Sequence, residues 1–192
     1  MSKQTKCFWG SSYDRGIQHL LKIWGDVLKE VPDATLEICY GWTLFDKAYH
    51  DNAERQAWKD KINDMMNQPG ITHHGRVGKK ELKEIRSQCG IWAYPTHFDE
   101  IHCITALECQ LDGCVPCVME KAALKETVQS GVKVQGDIYD PKVREKYKEE
   151  LIALMKDQKR WEEEQKKGIE FAKKFDWSEM AKVWSEELES KK

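Results

Sequence analysis

The chain has 192 residues, 40% hydrophobic and 33% charged, with 31 lysines and arginines against 33 aspartates and glutamates for a net charge of −2. That length allows one domain with a core of its own, and the balanced charge excludes a protein that grips nucleic acid by neutralising phosphates. The longest apolar run, residues 151–155, falls far short of the roughly 18 residues of a membrane span. Residues 1–6 lead into no apolar signal core, so a cytoplasmic protein without a transmembrane segment is expected.

In chain order, residues 6–12 are a short apolar run ending in small residues. Residues 14–31 place Ile17, Leu20, Leu21, Trp24, Val27 and Leu28 at i, i+3, i+4, i+7, i+10 and i+11, the stripe of an amphipathic helix. Pro32 and Asp33 break it, and the β-branched, apolar run 35–41 reads as a strand. Trp58, Ile62, Met65 and Met66 share helical spacing within 51–67, which stops before Pro69 and Gly70. A strand at 71–77 and a short helix at 79–88 follow. Next come a strand at 89–96, a helix at 101–112 closed by Gly113 as C-cap, a strand at 114–119, a short helix at 124–129 and a strand at 132–135.

Strands alternating with helical segments predict βαβ units. The expected fold class is therefore α/β, a Rossmann-like, doubly wound parallel sheet of about six strands with helices on both faces and C-terminal helices. One domain is expected, with an α/β core over 1–139 and the C-terminal helices over 140–192. Asp140 is an N-cap followed by Pro141 at the first helical position, and Val143, Tyr147, Leu151 and Leu154 continue a stripe. A second helix is expected at 161–174. A third starts at Asp176, with Glu179 as its capping-box partner. Residues 156–192 hold 10 basic and 10 acidic residues, a balanced solvated face rather than a polybasic anchor.

Seven cysteines, at 7, 39, 89, 103, 109, 114 and 117, make an odd number that suits a reducing compartment. Cys114 and Cys117 form a C-x-x-C pair with Cys109 and His102 nearby, so a zinc or redox site has to be weighed. No second pair completes four ligands, and the motif lies in a strand-like run rather than at a helix N-terminus. Packed structural thiols are the favoured reading, and no metal is expected.

In an open parallel sheet, ligands bind beyond the carboxyl ends of the strands. Two strand-to-helix junctions stand out. The first, residues 10–16, offers small residues including Ser11, Ser12 and Gly16, and an arginine, Arg15, suited to phosphate oxygens. The second, residues 96–108, turns a strand into a helix, so backbone N–H groups near Cys103 and Ile104 can cradle an anion. Glu100 and Glu108 are eight residues apart, about 12 Å along one helix and about 80° around it. That exceeds the roughly 5–9.5 Å between the paired carboxyls of glycoside hydrolases. It suits one carboxylate at each end of an extended ligand with a diphosphate between. Two solvated helix glutamates satisfy the same spacing.

The run from Glu100 to Glu108, followed by Gly113-Cys-Val-Pro-Cys-Val118, resembles the E-x7-E motif and following strand of retaining, family 4-like glycosyltransferases of the GT-B fold. Arg15-Gly-Ile-Gln-His-Leu-Leu resembles the opening of that family's donor domain, and residues 32–41 its P-x-A-x-L-x-I-x-G strand. Gly75-Arg-Val77 with Glu81-Leu82, Glu126-Thr-Val, and Phe175-Asp-Trp177 resemble later segments in the same order. The resemblance implies a donor-binding domain for a nucleoside-diphosphate sugar, with no cofactor or metal besides that substrate.

It also implies roles. Glu100 would contact the donor sugar as the catalytic-site carboxylate, Glu108 the ribose, and Arg15 with Gly16 and Ser12 the diphosphate. The N–H groups of Cys103, Ile104 and Thr105 would form the phosphate cradle, and Val77 and Leu82 would line the nucleobase. Three departures stand beside it: Ser11 or Ser12 occupies the place of a second basic residue, Ile101 and Cys103 that of glycines, and the N-terminal acceptor domain of a GT-B enzyme is expected to lie outside these 192 residues. A separate acceptor domain or subunit is the implied partner, with Trp177, Met180 and Trp184 either packing at home or marking its surface. The alternative is a non-catalytic nucleotide-sugar-binding domain.

Overall fold

The structure, a computed structural model, describes residues 2–190. After a 3₁₀ turn at Lys3–Thr5, the chain runs β1 (Lys6–Trp9), a second 3₁₀ turn (Tyr13–Arg15), α1 (Ile17–Glu30), β2 (Thr35–Cys39), α2 (Thr43–Tyr49), α3 (Ala53–Met66), β3 (Ile71–Gly75) and α4 (Lys79–Gln88). It continues as β4 (Ile91–Tyr94), α5 (Ile104–Leu111), β5 (Val115–Met119), α6 (Leu124–Thr127), β6 (Val132–Val134), α7 (Pro141–Lys156), α8 (Gln158–Lys173) and α9 (Trp177–Glu189).

The six strands form one sheet in the order β3-β2-β1-β4-β5-β6, and every pairing is parallel. This is the expected α/β, Rossmann-like architecture. The chain winds outward from β1 through β2 to β3, then returns to the centre and winds the other way from β4. The reversal falls between β1 and β4, which pair through Cys7 with Ile91 and Phe8 with Trp92. In open parallel sheets ligands bind at such a reversal, beyond the carboxyl ends of the strands.

The core explains the elements. Strands β4 and β5 are buried along their whole length, as parallel strands covered on both faces must be. On α1 the predicted stripe of Ile17, Leu20, Leu21, Trp24 and Val27 is buried. Tyr147, Leu151 and Leu154 of α7 are buried as well, and Tyr147 donates its hydroxyl to the Cys117 carbonyl at 2.6 Å. All seven cysteines are buried and unpaired. Burial pushes the Cys117 thiol up to about 12, opposite in direction to the lowered pKa of a reactive thiolate. Among the described residues no helix is long and apolar enough to cross a membrane.

Several boundaries differ from expectation. The helix expected at 101–112 starts only at Ile104, leaving residues 95–103 as an irregular loop. Helix α2 was not anticipated, since Phe45 is its only buried residue and leaves no periodic stripe. The second C-terminal helix begins at Gln158 because Asp157 caps it, accepting from the Arg160 N–H. On α9 the Asp176 cap forms at the Ser178 N–H, but Glu179 pairs with Lys182 at 2.7 Å instead of closing the capping box. Helix α9 buries no residue, so Trp177 and Trp184 do not pack at home.

Candidate functional site

The loops leaving β1 and β4 meet at the reversal of strand order. Gly16 makes the meeting feasible. Its φ is +124°, and a Cβ there would stand 2.9 Å from the Pro95 carbonyl oxygen, so only glycine fits without strain. The Thr96 hydroxyl donates to the Arg15 carbonyl at 2.7 Å and accepts from the Phe98 N–H at 3.0 Å. These contacts stitch the two loops together. Gly16, expected on the diphosphate, is therefore found packing backbone on backbone.

Across this seam Arg15 donates from Nη1 to both oxygens of Glu100, at 2.9 and 3.1 Å. The Arg15 guanidinium also lies 4.5 Å over the Phe98 ring. Tyr94, the last residue of β4, donates its hydroxyl to Glu100 Oε1 at 2.6 Å. The Glu100 carbonyl accepts from the Ala123 N–H at 3.1 Å. The carboxylate is thus nearly buried, its side chain 7% exposed, against 37% for Arg15. A charge at that depth is tolerable only when paired and hydrogen-bonded. Burial is the largest single influence on Arg15 and opposes its charge, but Glu100 and Tyr94 together outweigh it and raise the guanidinium pKa.

The thiol of Cys103 belongs to the same neighbourhood. Burial first, then the Glu100 charge, pushes it up to about 12. Cys103 is the N-cap of α5 but makes no side-chain capping bond, so the predicted cradle residues Cys103, Ile104 and Thr105 do sit where the loop enters a helix. Positive helix-dipole ends of this kind favour anions. The Ser12 hydroxyl donates to Asp14 at 2.6 Å.

Glu108 lies elsewhere in the network. Its Oε2 accepts from Arg86 Nη1 at 2.6 Å, and Arg86 Nε donates to Asp112 at 2.7 Å. Because Glu100 precedes α5, the one-helix geometry expected for the two glutamates does not hold. No hydrogen bond or ion pair joins Glu108 to Arg15 or Glu100 among the described residues. Val77 and Leu82 are half-buried and packed against the hydrophobic core around the β3–α4 corner.

Beside the Glu100 loop opens a cleft of about 480 Å³ lined by Thr96, His97, Glu120, Lys121, Asp137 and Tyr139, among others. Lys121 braces it, donating to the His97 carbonyl at 2.6 Å. His19 packs ring to ring against the lining residues His97 and Tyr139, which also meet each other, and burial lowers the His19 pKa to about 4. Sequence reasoning missed Tyr94, Phe98 and Lys121. Tyr94 sits in an apolar strand where its hydroxyl gives no periodic signal, whereas the position of Phe98 inside the predicted 96–108 junction is a signal that could have found it.

The chain matches the family described as glycosyl transferases, group 1, over residues 11–175. A comparison with curated proteins returns no significant match. Among solved structures, the pneumococcal O-GlcNAc transferase GtfA in complex with UDP and GlcNAc superimposes with a TM-score of 0.71 at 17% identity. The alignment covers 98% of this chain and 36% of that one. The GtfA/B complex gives 0.76 at 15% identity with the same coverage. The α,α-trehalose 6-phosphate synthase from Burkholderia multivorans gives 0.64 at 14% identity, covering 96% of this chain and 42% of that one. At these identities the likeness is one of fold. The chain spans a little over a third of the length of the GtfA chain.

Proposed function

Because the chain belongs to the group 1 glycosyl transferases, we propose that it binds a nucleoside-diphosphate sugar at the seam between the β1 and β4 loops and serves as the donor half of a retaining transferase. The observation that carries this reading is the Arg15–Glu100 pair, a cation and a carboxylate held together at the reversal of strand order. Glu100 faces the glycosyl group and accepts from its hydroxyls. Arg15 engages Glu100 through Nη1 alone, which leaves the rest of its planar donor fork to the diphosphate.

When the glycosyl bond breaks, negative charge gathers on the departing diphosphate and positive charge on the sugar. The Arg15 guanidinium and the N-terminus of α5 are oriented beforehand toward the first, and such preorganised donors are the main source of transition-state stabilisation in buried sites. The Glu100 carboxylate lies toward the second. Ile104 and Thr105 supply amides to the phosphates, Glu108 serves the ribose after exchanging its Arg86 partner, and Val77 and Leu82 border the base.

The uncovered apolar face of α9, where Trp177 is 89% exposed, supports a second reading. In it the domain binds the sugar nucleotide without turning it over and works against an acceptor-bearing partner. GtfA is seen in a GtfA/B complex.

Calorimetric titration with UDP and UDP-GlcNAc tests the role assignment. Glu100→Gln is expected to weaken UDP-GlcNAc more than UDP, and Glu108→Ala to weaken both. Wild-type affinities for both ligands in both variants would refute the roles. Sugar release during the titration favours the transferase; binding without release favours the second reading.

A further inference from the structure

Glu100 accepts three hydrogen bonds at its carboxylate, and their distribution is uneven. Oε1 takes both the Tyr94 hydroxyl and Arg15 Nη1, whereas Oε2 takes Arg15 Nη1 alone. A carboxylate offers roughly four lone-pair positions. Among the described residues, the protein therefore occupies Oε1 fully and leaves one position on Oε2.

The two donors, and the loop they hold, differ in rigidity. Arg15 is a long side chain with more than a third of its surface exposed. The loop carrying Glu100 has no regular structure, and the next residue, Ile101, is 96% exposed. Tyr94 is the opposite. It closes a central strand, is completely buried, stacks on Trp92 at 4.8 Å between ring centroids and tilts against Trp9 at 4.9 Å. Trp9 is itself pinned, donating its indole N–H to the Ser11 carbonyl at 2.7 Å. Burial first, then the bond to Glu100, pushes the Tyr94 phenol pKa upward, so the proton stays on Tyr94 and the direction of donation is fixed.

We propose that Tyr94 is the positioning residue of the site: its phenol, clamped in the Trp9–Tyr94–Trp92 layer, sets the rotation of the Glu100 carboxylate so that Oε2 alone faces a hydroxyl of the bound glycosyl group. This rests on the reading that Glu100 meets the donor sugar. It adds to that reading which oxygen does so and what fixes it. Without the phenol the carboxylate can rotate about its bond to Arg15, and the discrimination between a sugar nucleotide and a bare nucleoside diphosphate falls.

The test is a double-mutant cycle with Tyr94→Phe, Glu100→Gln and the pair, titrated with UDP-GlcNAc and UDP as probes. Tyr94→Phe keeps the ring in its aromatic layer and removes only the hydroxyl. It is expected to reduce the preference for UDP-GlcNAc over UDP by about five- to tenfold, the worth of one hydrogen bond. UDP affinity should stay within twofold, and no further loss should appear in the Glu100→Gln background. Equal loss of both ligands, or an undiminished effect of Tyr94→Phe in the Glu100→Gln background, would assign Tyr94 a purely structural role and overturn the proposal. So would an unchanged preference. A hydrogen-bonded tyrosine hydroxyl proton in the NMR spectrum, absent in Tyr94→Phe and shifted in Glu100→Gln, reports the Tyr94–Glu100 bond without any ligand. If that resonance behaves so while wild type binds neither probe, the donor-site reading fails. If wild type discriminates and the resonance does not respond to Glu100→Gln, the positioning role fails alone.

Discussion

The two glutamates that sequence spacing treats as equivalent sit in two different kinds of place. Around Glu100, two loops from neighbouring strands converge, and the arginine that meets the buried carboxylate remains partly open to solvent. Around Glu108 the burial is reversed: the arginine is buried and the glutamate half-exposed, with side chains 7% and 48% exposed. Arg86 also holds Asp112, so this corner ties α4 to α5. The sequestered Arg86–Asp112 pair serves the fold, while the half-exposed Glu108 beside it stays open to a ligand. A pair whose cation keeps donors in solvent can serve a ligand.

The comparison breaks most visibly at Arg86. Arg86→Ala strands Asp112 in the interior, and removing one member of a buried pair costs about 3–5 kcal/mol. Chemical denaturation should therefore show a large loss of stability for Arg86→Ala and a smaller one for Arg15→Ala, because the Tyr94 hydroxyl still holds the buried Glu100 carboxylate when Arg15 is gone. Equal losses would erase the distinction between the two corners.

Acid sharpens the contrast next. His19 lies behind the Glu100 seam with its pKa held at about 4 by burial, while an unfolded histidine titrates near 6.5. Between those values the unfolded chain binds a proton that the folded chain refuses. The stabilisation is complete above pH ~6.5 and is lost as pH falls toward 4, by about 3 kcal/mol in all. Denaturant titrations across that window should slope less steeply in His19→Gln than in wild type. Identical slopes would show that His19 is not the group responsible.

The smallest effect falls on ligand rather than fold. Arg15→Ala should cost about 1.5–3 kcal/mol in UDP affinity, the range for a charged hydrogen bond. A change of a few tenths measured by calorimetry would show that this loop does not touch phosphate.

What was legible in the sequence follows the same division. The α1 stripe and the apolar strands announced the parallel sheet because periodicity is local, and the buried faces of Leu20, Leu21 and Trp24 agree with it. The helix expected at 101–112 begins only at Ile104, and Ile101 and Ile104 are both exposed, so no buried apolar face fixes its first turn. Arg86 lies on the polar helix α4, where nothing in the spacing marks it as buried. It is buried only because Glu108 and Asp112 reach it from another element, 22 and 26 residues away. Tyr94 was hidden for the same reason: its partner is set by how a loop folds back, and no spacing rule encodes that.

The most direct measurement is a crystal structure of the protein with UDP bound. The account predicts the diphosphate within hydrogen-bond distance of Arg15 and the N–H groups of Ile104 and Thr105, with Glu100 still joined to Tyr94. A nucleotide lodged instead in the cleft against Tyr139 and Lys121, with Arg15 untouched, would contradict it.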